Sequence, residues 1–150
     1  MRVLRSRKRE QGMVLLEALI AILIFSIGIL GLIGMQANAI NASSEAKNRA
    51  DAAVLANHLV GLLSVSDSAT INNYAHRPSG TACAPTGSNS TDPAVVEWLL
   101  QVDKTLPEAA SSKQQVKVDS ANNVVTITIC WQPQNGDLHK HVVTTQMQWQ

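Results

Sequence analysis

The chain has 150 residues, 45% of them apolar and only 3% aromatic, so it has room for one domain with a largely aliphatic core. The formal net charge is +1, but residues 1–12 are strongly basic and leave the rest of the chain mildly acidic. This balance lacks the broad basic surface of nucleic-acid-binding domains, so we expect no nucleic-acid partner.

The first predicted element is a membrane-spanning helix over residues 13–35, which read MVLLEALIAILIFSIGILGLIGM. At ~1.5 Å per residue this run is about 34 Å long, enough to cross a bilayer core. Because the basic residues precede it, the N-terminus is expected to stay cytoplasmic and the rest to be translocated. A nucleic-acid-binding arm is the alternative for the basic cluster, and the adjoining apolar run disfavours it.

One acidic residue, Glu17, lies near the start of this run without a charged neighbour inside it. An acidic side chain at the centre of a membrane helix costs about 2.5 to 3.5 kcal/mol, and less near the helix end. Three arrangements would remove the cost: protonation of the carboxyl group, its reach into the headgroup region, or a positive charge from another chain. A plain single-span anchor that tolerates the residue is the simpler alternative.

A secretory signal peptide is another interpretation of the same segment. Ala37-Asn38-Ala39 follows the apolar run and fits the small-residue cleavage pattern, which would release a soluble domain. The apolar run is longer than the usual length of about 7–15 residues, which favours a retained helix.

The junction between basic leader and helix resembles the signature of type IV prepilins. The leader ends in Gly12, the apolar helix follows at once, and Glu17 is its fifth residue. The resemblance implies that residues 1–12 are a leader peptide, which a membrane aspartyl peptidase removes by cutting between Gly12 and Met13. It also implies N-methylation of Met13, where the family usually has Phe. Glu17 would then pair with the N-terminal amine of a neighbouring subunit during assembly.

The sequence beyond the leader, including SIGILGLIGMQANAIN and NRADAAVLANHLVGLL, resembles minor pilins of the PilV type over residues 8–63. This implies a type IV pilus subunit that primes pilus assembly, lies at or near the tip, and supports twitching motility and cell adhesion. The implied partners are other minor and major pilins, the prepilin peptidase and the inner-membrane assembly machinery. The implied location is the inner membrane with a periplasmic head, and then the pilus at the cell surface.

Two other functions stay open from the sequence. A minor pseudopilin of a type II secretion system shares the prepilin signature, although the residues around Ser26–Gln36 favour the pilus type. A single-span periplasmic binding module would need neither cleavage after Gly12 nor a role for Glu17 in assembly.

Three glycines, Gly28, Gly31 and Gly34, recur at every third position of the predicted membrane helix. Each costs about 0.8–1 kcal/mol of helix stability relative to Ala. Major pilins often have a proline in this region, so the resemblance implies that these glycines soften the helix for partial unwinding during assembly. Close packing of neighbouring helices is an equal alternative, because small residues let helices approach.

The long helix is predicted to continue to about Leu63, interrupted only by Gly61, because no Pro occurs before Pro78. One face of its second half carries an apolar stripe that should pack on a globular head: Ala52, Leu55, Ala56, Leu59, Leu62 and Leu63. The opposite face is small and polar, and could be solvated or contact other helices: Ala46, Ala50, Ala53 and Asn57.

The head, which comprises residues 36–150 and includes the second half of the long helix, is predicted to be α+β and pilin-like. Residues 64–93 are rich in small polar residues and predict a loop. Asp92-Pro93 predicts the start of a short helix over 94–104, with its cap at Asp92 and Pro at the first position. The inward residues of this helix should be Val95, Leu99 and Val102, with Trp98 beside them.

A period of two then predicts an antiparallel meander of three strands laid against the helix. The predicted turns are Ser120–Asn123 and the Asn135-Gly136 hairpin. The inward residues of the three strands are expected to be Val116 and Val118; Val125, Ile127, Ile129 and Trp131; and Val143, Thr145, Met147 and Trp149, with Thr126, Thr128 and Cys130 on the other face.

The two cysteines, Cys83 and Cys130, allow one pairing. Outside the cytoplasm a disulfide is the expected state, and it would close a loop of about 48 residues worth about 4 kcal/mol. Two buried free thiols are the alternative.

No pattern typical of an enzyme is present, so we expect no catalytic activity and no cofactor. The sequence has no G-x-S-x-G elbow, phosphate-binding glycine loop or H-E-x-x-H. His139 and His141 share one face of a predicted strand and could bind a metal, but no third ligand has suitable spacing. A surface histidine pair is therefore favoured over a metal site.

Overall fold

The structure is a computed structural model that describes residues 11–67, 69–134 and 136–148. Some predictions lie wholly or partly outside these ranges: residues 1–10 of the predicted leader, Ser68 in the predicted loop over 64–93, the Asn135 half of the hairpin signal, and Trp149 on the last strand. The chain divides into two compact units, Met1–Glu45 and Ala46–Gln150.

The first unit holds the N-terminal part of helix α1, which runs from Gln11 to Ser64. Every side chain from Met13 to Ser44 is exposed. In the part of the chain that the structure describes, α1 is the one helix long and apolar enough to cross a membrane. Length and composition therefore fit the predicted membrane helix.

The second unit begins with the C-terminal part of α1, whose end at Ser64 lies one residue beyond the predicted end. Gly61 does not interrupt the helix. The predicted apolar stripe packs into the core, with Leu62 half-buried and the other members buried. On the opposite face Ala46, Ala50 and Asn57 are exposed and Ala53 is half-buried, so this face is not part of the core.

After α1 the described chain contains, in order, a 3₁₀ turn (Ile71–Tyr74), β1 (Ser79–Thr81), β2 (Ala84–Thr86), α2 (Pro93–Thr105), a second 3₁₀ turn (Ser111–Lys113), β3 (Gln115–Asp119), β4 (Val124–Trp131) and β5 (His139–Gln146). Strands β1 and β2 form an antiparallel hairpin, and β3, β4 and β5 form an antiparallel sheet in that order. The predicted fold class is confirmed: a long N-terminal helix packs on small antiparallel sheets in an α+β protein.

The register of the three-stranded sheet gathers alternate apolar residues on one face. Ile127 on the central strand lies opposite Val116 on β3 and Val143 on β5. The inward residues of β4 are at most 1% exposed and join the α1 stripe and the buried face of α2 in one core. This is the arrangement that a period of two predicts.

The predicted turn between β3 and β4 is closed by polar side chains. Asp119 accepts hydrogen bonds from the backbone N–H of Asn122 at 3.1 Å and from its side-chain amide at 2.8 Å. The side-chain hydrogen bond from Asn122 is the largest cause of the lowered pKa of Asp119. Asn123 takes a φ of +54°, a conformation that Asn tolerates better than most residues.

Helix α2 begins and ends where local signals predict. The Asp92 side chain accepts a hydrogen bond from the Ala94 N–H at 2.9 Å, and Pro93 is the first helical residue. The helix ends at Thr105, two residues before Pro107. Val95, Trp98, Leu99 and Val102 are buried as predicted, and the Trp98 indole N–H donates to the Leu55 carbonyl of α1 at 2.8 Å.

The prediction of a structureless loop over 64–93 is wrong in part. This segment contains the first 3₁₀ turn and the β1–β2 hairpin. The two strands have three residues each and are mostly exposed, so no alternating apolar pattern marks them. Gly80 has a φ of +80°, and a Cβ there would lie 2.8 Å from the Ala84 carbonyl oxygen, so the hairpin requires glycine at this position.

Thr128 and Cys130 lie on the second face of β4 as predicted, and both are buried; Cys130 is bonded there to Cys83 in the β1–β2 turn. The β4–β5 connection spans residues 132–138 and is longer than the tight hairpin that Asn135-Gly136 suggests. Pro133 lacks an N–H for the ladder, so β4 cannot continue to the glycine.

Candidate functional site

The predicted processing and assembly residues lie in the first two turns of α1. The bond between Gly12 and Met13 falls inside the helix as the structure has it. Glu17 is exposed one turn further on, and Met13 is 73% exposed. Residues four apart share one helix face, so the carboxylate and the N-terminus that cleavage would create lie on the same side of α1.

Glu17 is a charged residue in an apolar stretch of α1. Among the described residues it has no ion pair or hydrogen bond, and its neighbours along the exposed helix are apolar. No described residue of the first unit therefore offsets the cost of placing this carboxylate in hydrocarbon. We expect the offset to come from the environment or from another molecule.

Among the described residues, no close packing contact requires glycine at the three glycine positions of α1. A Cβ built at Gly28, Gly31 or Gly34 would meet nothing within 4 Å. Gly28 forms the floor of a shallow apolar depression between Phe25 and Leu32. The missing side chains therefore affect either the stiffness of α1 or its contact with other molecules, which are the two roles predicted for them.

A disulfide joins Cys83, in the turn between β1 and β2, to Cys130 near the end of β4, with a Cα–Cα distance of 5.5 Å. This is the pairing that the sequence predicts. It attaches an otherwise exposed hairpin to the central strand of the sheet. Cys83 itself takes a φ of +65°, so the turn holds a strained residue at the bridge.

Two adjacent buried glutamines support the same region, and the sequence analysis missed both. The amide of Gln114 donates to the carbonyls of Ala109, Ala110 and Cys130, and its oxygen accepts from the Cys130 N–H at 2.8 Å. The amide of Gln115 donates to the Arg77 and Ser79 carbonyls at the start of the hairpin. Polar residues at the start of a strand carry no signal that they will be buried.

The histidine pair lies on the core-facing side of the edge strand β5. His139 lies opposite Trp131 and His141 opposite Ile129. The His139 ring stacks on Trp131 with centroids 5.7 Å apart. In the described ranges no group of three or more His, Cys, Asp or Glu side chains could hold a metal ion.

A third histidine, His76, is the most buried ionisable side chain of the head and was not singled out from sequence. It is 2% exposed and lines a groove of about 370 Å³ beside α2, together with Ser90, Leu100, Asp103 and Ser111. Burial lowers its pKa, against an opposing effect of the hydrogen bond to Ser111. Its signal in the sequence is weak: a lone histidine in a polar segment.

Comparison with known proteins adds nothing to these observations: no family model, curated protein or solved structure matches the chain. The resemblance carried by Gly12 and Glu17 therefore stays a prediction. The structure places the predicted processing residues and glycines on the first unit, and the disulfide and the histidines on the second.

Proposed function

We propose that this protein is a minor subunit of a type IV pilus, made as a precursor and held in the inner membrane by α1 until assembly. The observation that carries the proposal is Glu17, a carboxylate that has no ion pair or hydrogen bond among the described residues and lies on an exposed apolar helix. A disulfide in the head supports a location outside the cytoplasm, where such bonds persist.

The proposed assembly step follows from charge burial. Cleavage after Gly12 creates an ammonium group at Met13, at the helix end where the dipole is positive and disfavours a cation. The ammonium group and the Glu17 carboxylate are each costly in hydrocarbon. Pairing them between neighbouring subunits removes both costs and sets the axial offset of one helix against the next. Loss of one partner leaves the other unpaired, at a cost of about 3–5 kcal/mol.

The first test is the N-terminal sequence of the mature protein. A start at Met13 supports the proposal. A start at Met1 indicates a plain anchor, and a start at Ile40 indicates a cleaved signal peptide, so either result contradicts it. In a deletion strain we expect loss of twitching motility with intact type II secretion. The reverse phenotype would assign the chain to the pseudopilins.

The second test replaces the carboxylate. Glu17→Gln keeps size and polarity but removes the charge, and we expect the processed protein to fall at least about 100-fold in sheared pili, from a cost of 3–5 kcal/mol. Glu97→Gln, at an exposed position of α2, is the matched control and should assemble normally. Normal pilus levels of the Glu17 variant would show that the ion pair is not required.

A further inference from the structure

His76 is held from three directions by parts of the chain that are far apart in sequence. Its backbone exchanges two hydrogen bonds with Val116 of β3, at 3.0 and 2.9 Å. Its Nε2 lies 3.0 Å from the Ser111 carbonyl oxygen, and its Nδ1 lies 3.2 Å from the Ser90 backbone nitrogen. The backbone of His76 thus bonds to the edge of the sheet, and its ring connects the second 3₁₀ turn to the segment that precedes α2.

These partners fix the protonation state of the ring. A carbonyl oxygen only accepts, so Nε2 must carry a proton that it donates to Ser111. A backbone N–H only donates, so Nδ1 must be the unprotonated acceptor for Ser90. The structure assigns the neutral Nε2–H tautomer, in which both ring nitrogens are satisfied although the side chain is buried.

Protonation would reverse one of these contacts and leave the others in place. A proton on Nδ1 puts a donor against the Ser90 N–H, whereas Nε2 still donates to Ser111. The backbone of His76 stays bonded to β3 in either state. The segment that must move is thus the one that contains Ser90.

Ser90 is also connected to the start of α2. Its hydroxyl donates to the Asn73 carbonyl at 2.7 Å and accepts from the Asp92 N–H at 3.2 Å. Asp92 in turn caps α2 through the Ala94 N–H. Displacement of Ser90 would therefore disturb the first turn of α2 and widen the groove in which His76 lies.

We propose that His76 is an acid-sensitive latch: its neutral ring holds residues 88–91 and the first turn of α2 closed, and its protonation releases them. The inference goes beyond the proposed pilus function and does not depend on it. Outside the cytoplasm, pH follows the surroundings, so such a latch would let acidity change this surface of the head.

The charges around the ring determine how readily it takes up a proton. Arg77, the next residue, disfavours a second positive charge, and burial acts in the same direction. Asp103 of α2 is the acidic residue that lines the same groove. The ammonium group of Lys113, on the second 3₁₀ turn, donates a hydrogen bond to the backbone carbonyl of Glu108. Lys117, on β3, is exposed.

The direction of the pH effect follows from linkage. The pKa of His76 lies below the ordinary value of 6.5 when the latch is closed, and returns toward that value when it opens. The closed state is favoured in full above pH 6.5 and loses stability as pH falls below it. Between the pKa of the closed state and that of the open state, the equilibrium constant for opening rises about tenfold for each unit by which pH falls, because opening then takes up one proton.

The test measures amide hydrogen exchange of the full-length protein in detergent micelles from about pH 7.5 to about pH 5, because His is the side chain that titrates in this range. The exchange rates are corrected for the pH dependence of the intrinsic amide exchange rate. We expect opening of the peptide over residues 88–92 to increase at acid pH, while the β4 peptide stays protected. His76→Gln should abolish the increase, because its amide can donate to Ser111 and accept from Ser90 without titrating. His58→Gln, at an exposed position of α1, should retain it.

The latch proposal would be overturned if exchange over residues 88–92 still increased at acid pH in His76→Gln. It would also be overturned if the unsubstituted protein showed no such increase. Should the His76 variant fail to fold, nitrogen resonances of the His76 ring in the unsubstituted protein decide the matter. Protonation of Nδ1 must occur over the same pH range as the opening of residues 88–92. Protonation without opening would show that the ring is only a structural residue.

Discussion

Two buried tryptophans of the head differ in one hydrogen bond. Trp98 is 1% exposed, and its indole N–H donates to the Leu55 carbonyl. Trp131 is equally buried, but among the described residues its indole N–H has no acceptor. A buried N–H without a partner retains its desolvation cost, so equal burial does not give equal stabilisation.

Replacement of each tryptophan by Phe separates these contributions. Trp98→Phe should lower the free energy of unfolding by about 1 kcal/mol more than Trp131→Phe, because only the first loses a hydrogen bond. Denaturant unfolding of the two variants in the same detergent, followed by circular dichroism, measures the difference. Equal losses would show that the indole of Trp98 contributes through packing alone.

At this scale the sequence predicts which apolar side chains are inward but not which polar ones are. The spacing of α2 places Trp98 beside the core, yet its acceptor Leu55 lies 43 positions away and is fixed only by tertiary packing. Gln114 and His76 are buried because their hydrogen bonds connect distant segments. No local pattern contains such partners.

Among the elements, α2 shows what local signals can establish. Its cap at Asp92, its first residue Pro93 and the proline after its end are all readable from the sequence, and the structure agrees with each. The β1–β2 hairpin has no such signals. Its stability comes from Cys83 and from the Gln115 side chain, which bind it to other elements.

The glycines of α1 give a prediction at this scale. Replacement of Gly28, Gly31 and Gly34 by Ala should strengthen the helix without a clash, because nothing lies within 4 Å of the added Cβ atoms. We expect amide exchange around these residues to slow about four- to fivefold per substitution, from a helix propensity gain of 0.8–1 kcal/mol. Gly61→Ala, also in open space, is the control outside the apolar segment.

Pilus levels of the same variants distinguish the two roles of the glycines. If α1 must soften during assembly, the Ala variants should be lost from pili. If neighbouring helices pack closely, Ala should be tolerated and Leu at the same positions should not. Normal assembly of both sets would exclude both roles.

For the head as a whole, the Cys83–Cys130 disulfide is the longest-range covalent restraint. It bridges a sequence separation of 47 and attaches the hairpin to the central strand. We expect Cys83→Ser/Cys130→Ser to lower the free energy of unfolding by about 4 kcal/mol, chiefly by restoring chain entropy to the unfolded state.

Reductant-treated protein is the matched control for the disulfide experiment. It should reproduce the loss seen for the double serine variant under identical denaturant conditions. A loss below about 1 kcal/mol would show that the glutamine hydrogen bonds alone hold the hairpin, against the entropy expected for a loop of this length.

The α+β fold was predictable because its periodicities are long and uninterrupted. The α1 stripe and the alternation of β4 each leave one possible inward face, and both faces meet in the core. The hairpin was not predictable because no apolar alternation marks its short, mostly exposed strands. The long β4–β5 connection could have been predicted from Pro133, whose missing donor ends β4. The function proposed for α1 beyond its fitness for a membrane rests on Glu17, which has no partner among the described residues.

The core of the head also imposes an order on its biogenesis. Leu59 and Leu63 are made early, whereas the core that they join is completed only at Met147, which follows β5 and whose sulfur accepts a hydrogen bond from Ser64. At a synthesis rate of about 5–20 residues per second, these leucines stay exposed for a time on the order of seconds before the rest of the core is made. Ribosome stalling or premature termination before β5 would therefore yield a chain with exposed apolar core residues, which is a substrate for quality-control proteases.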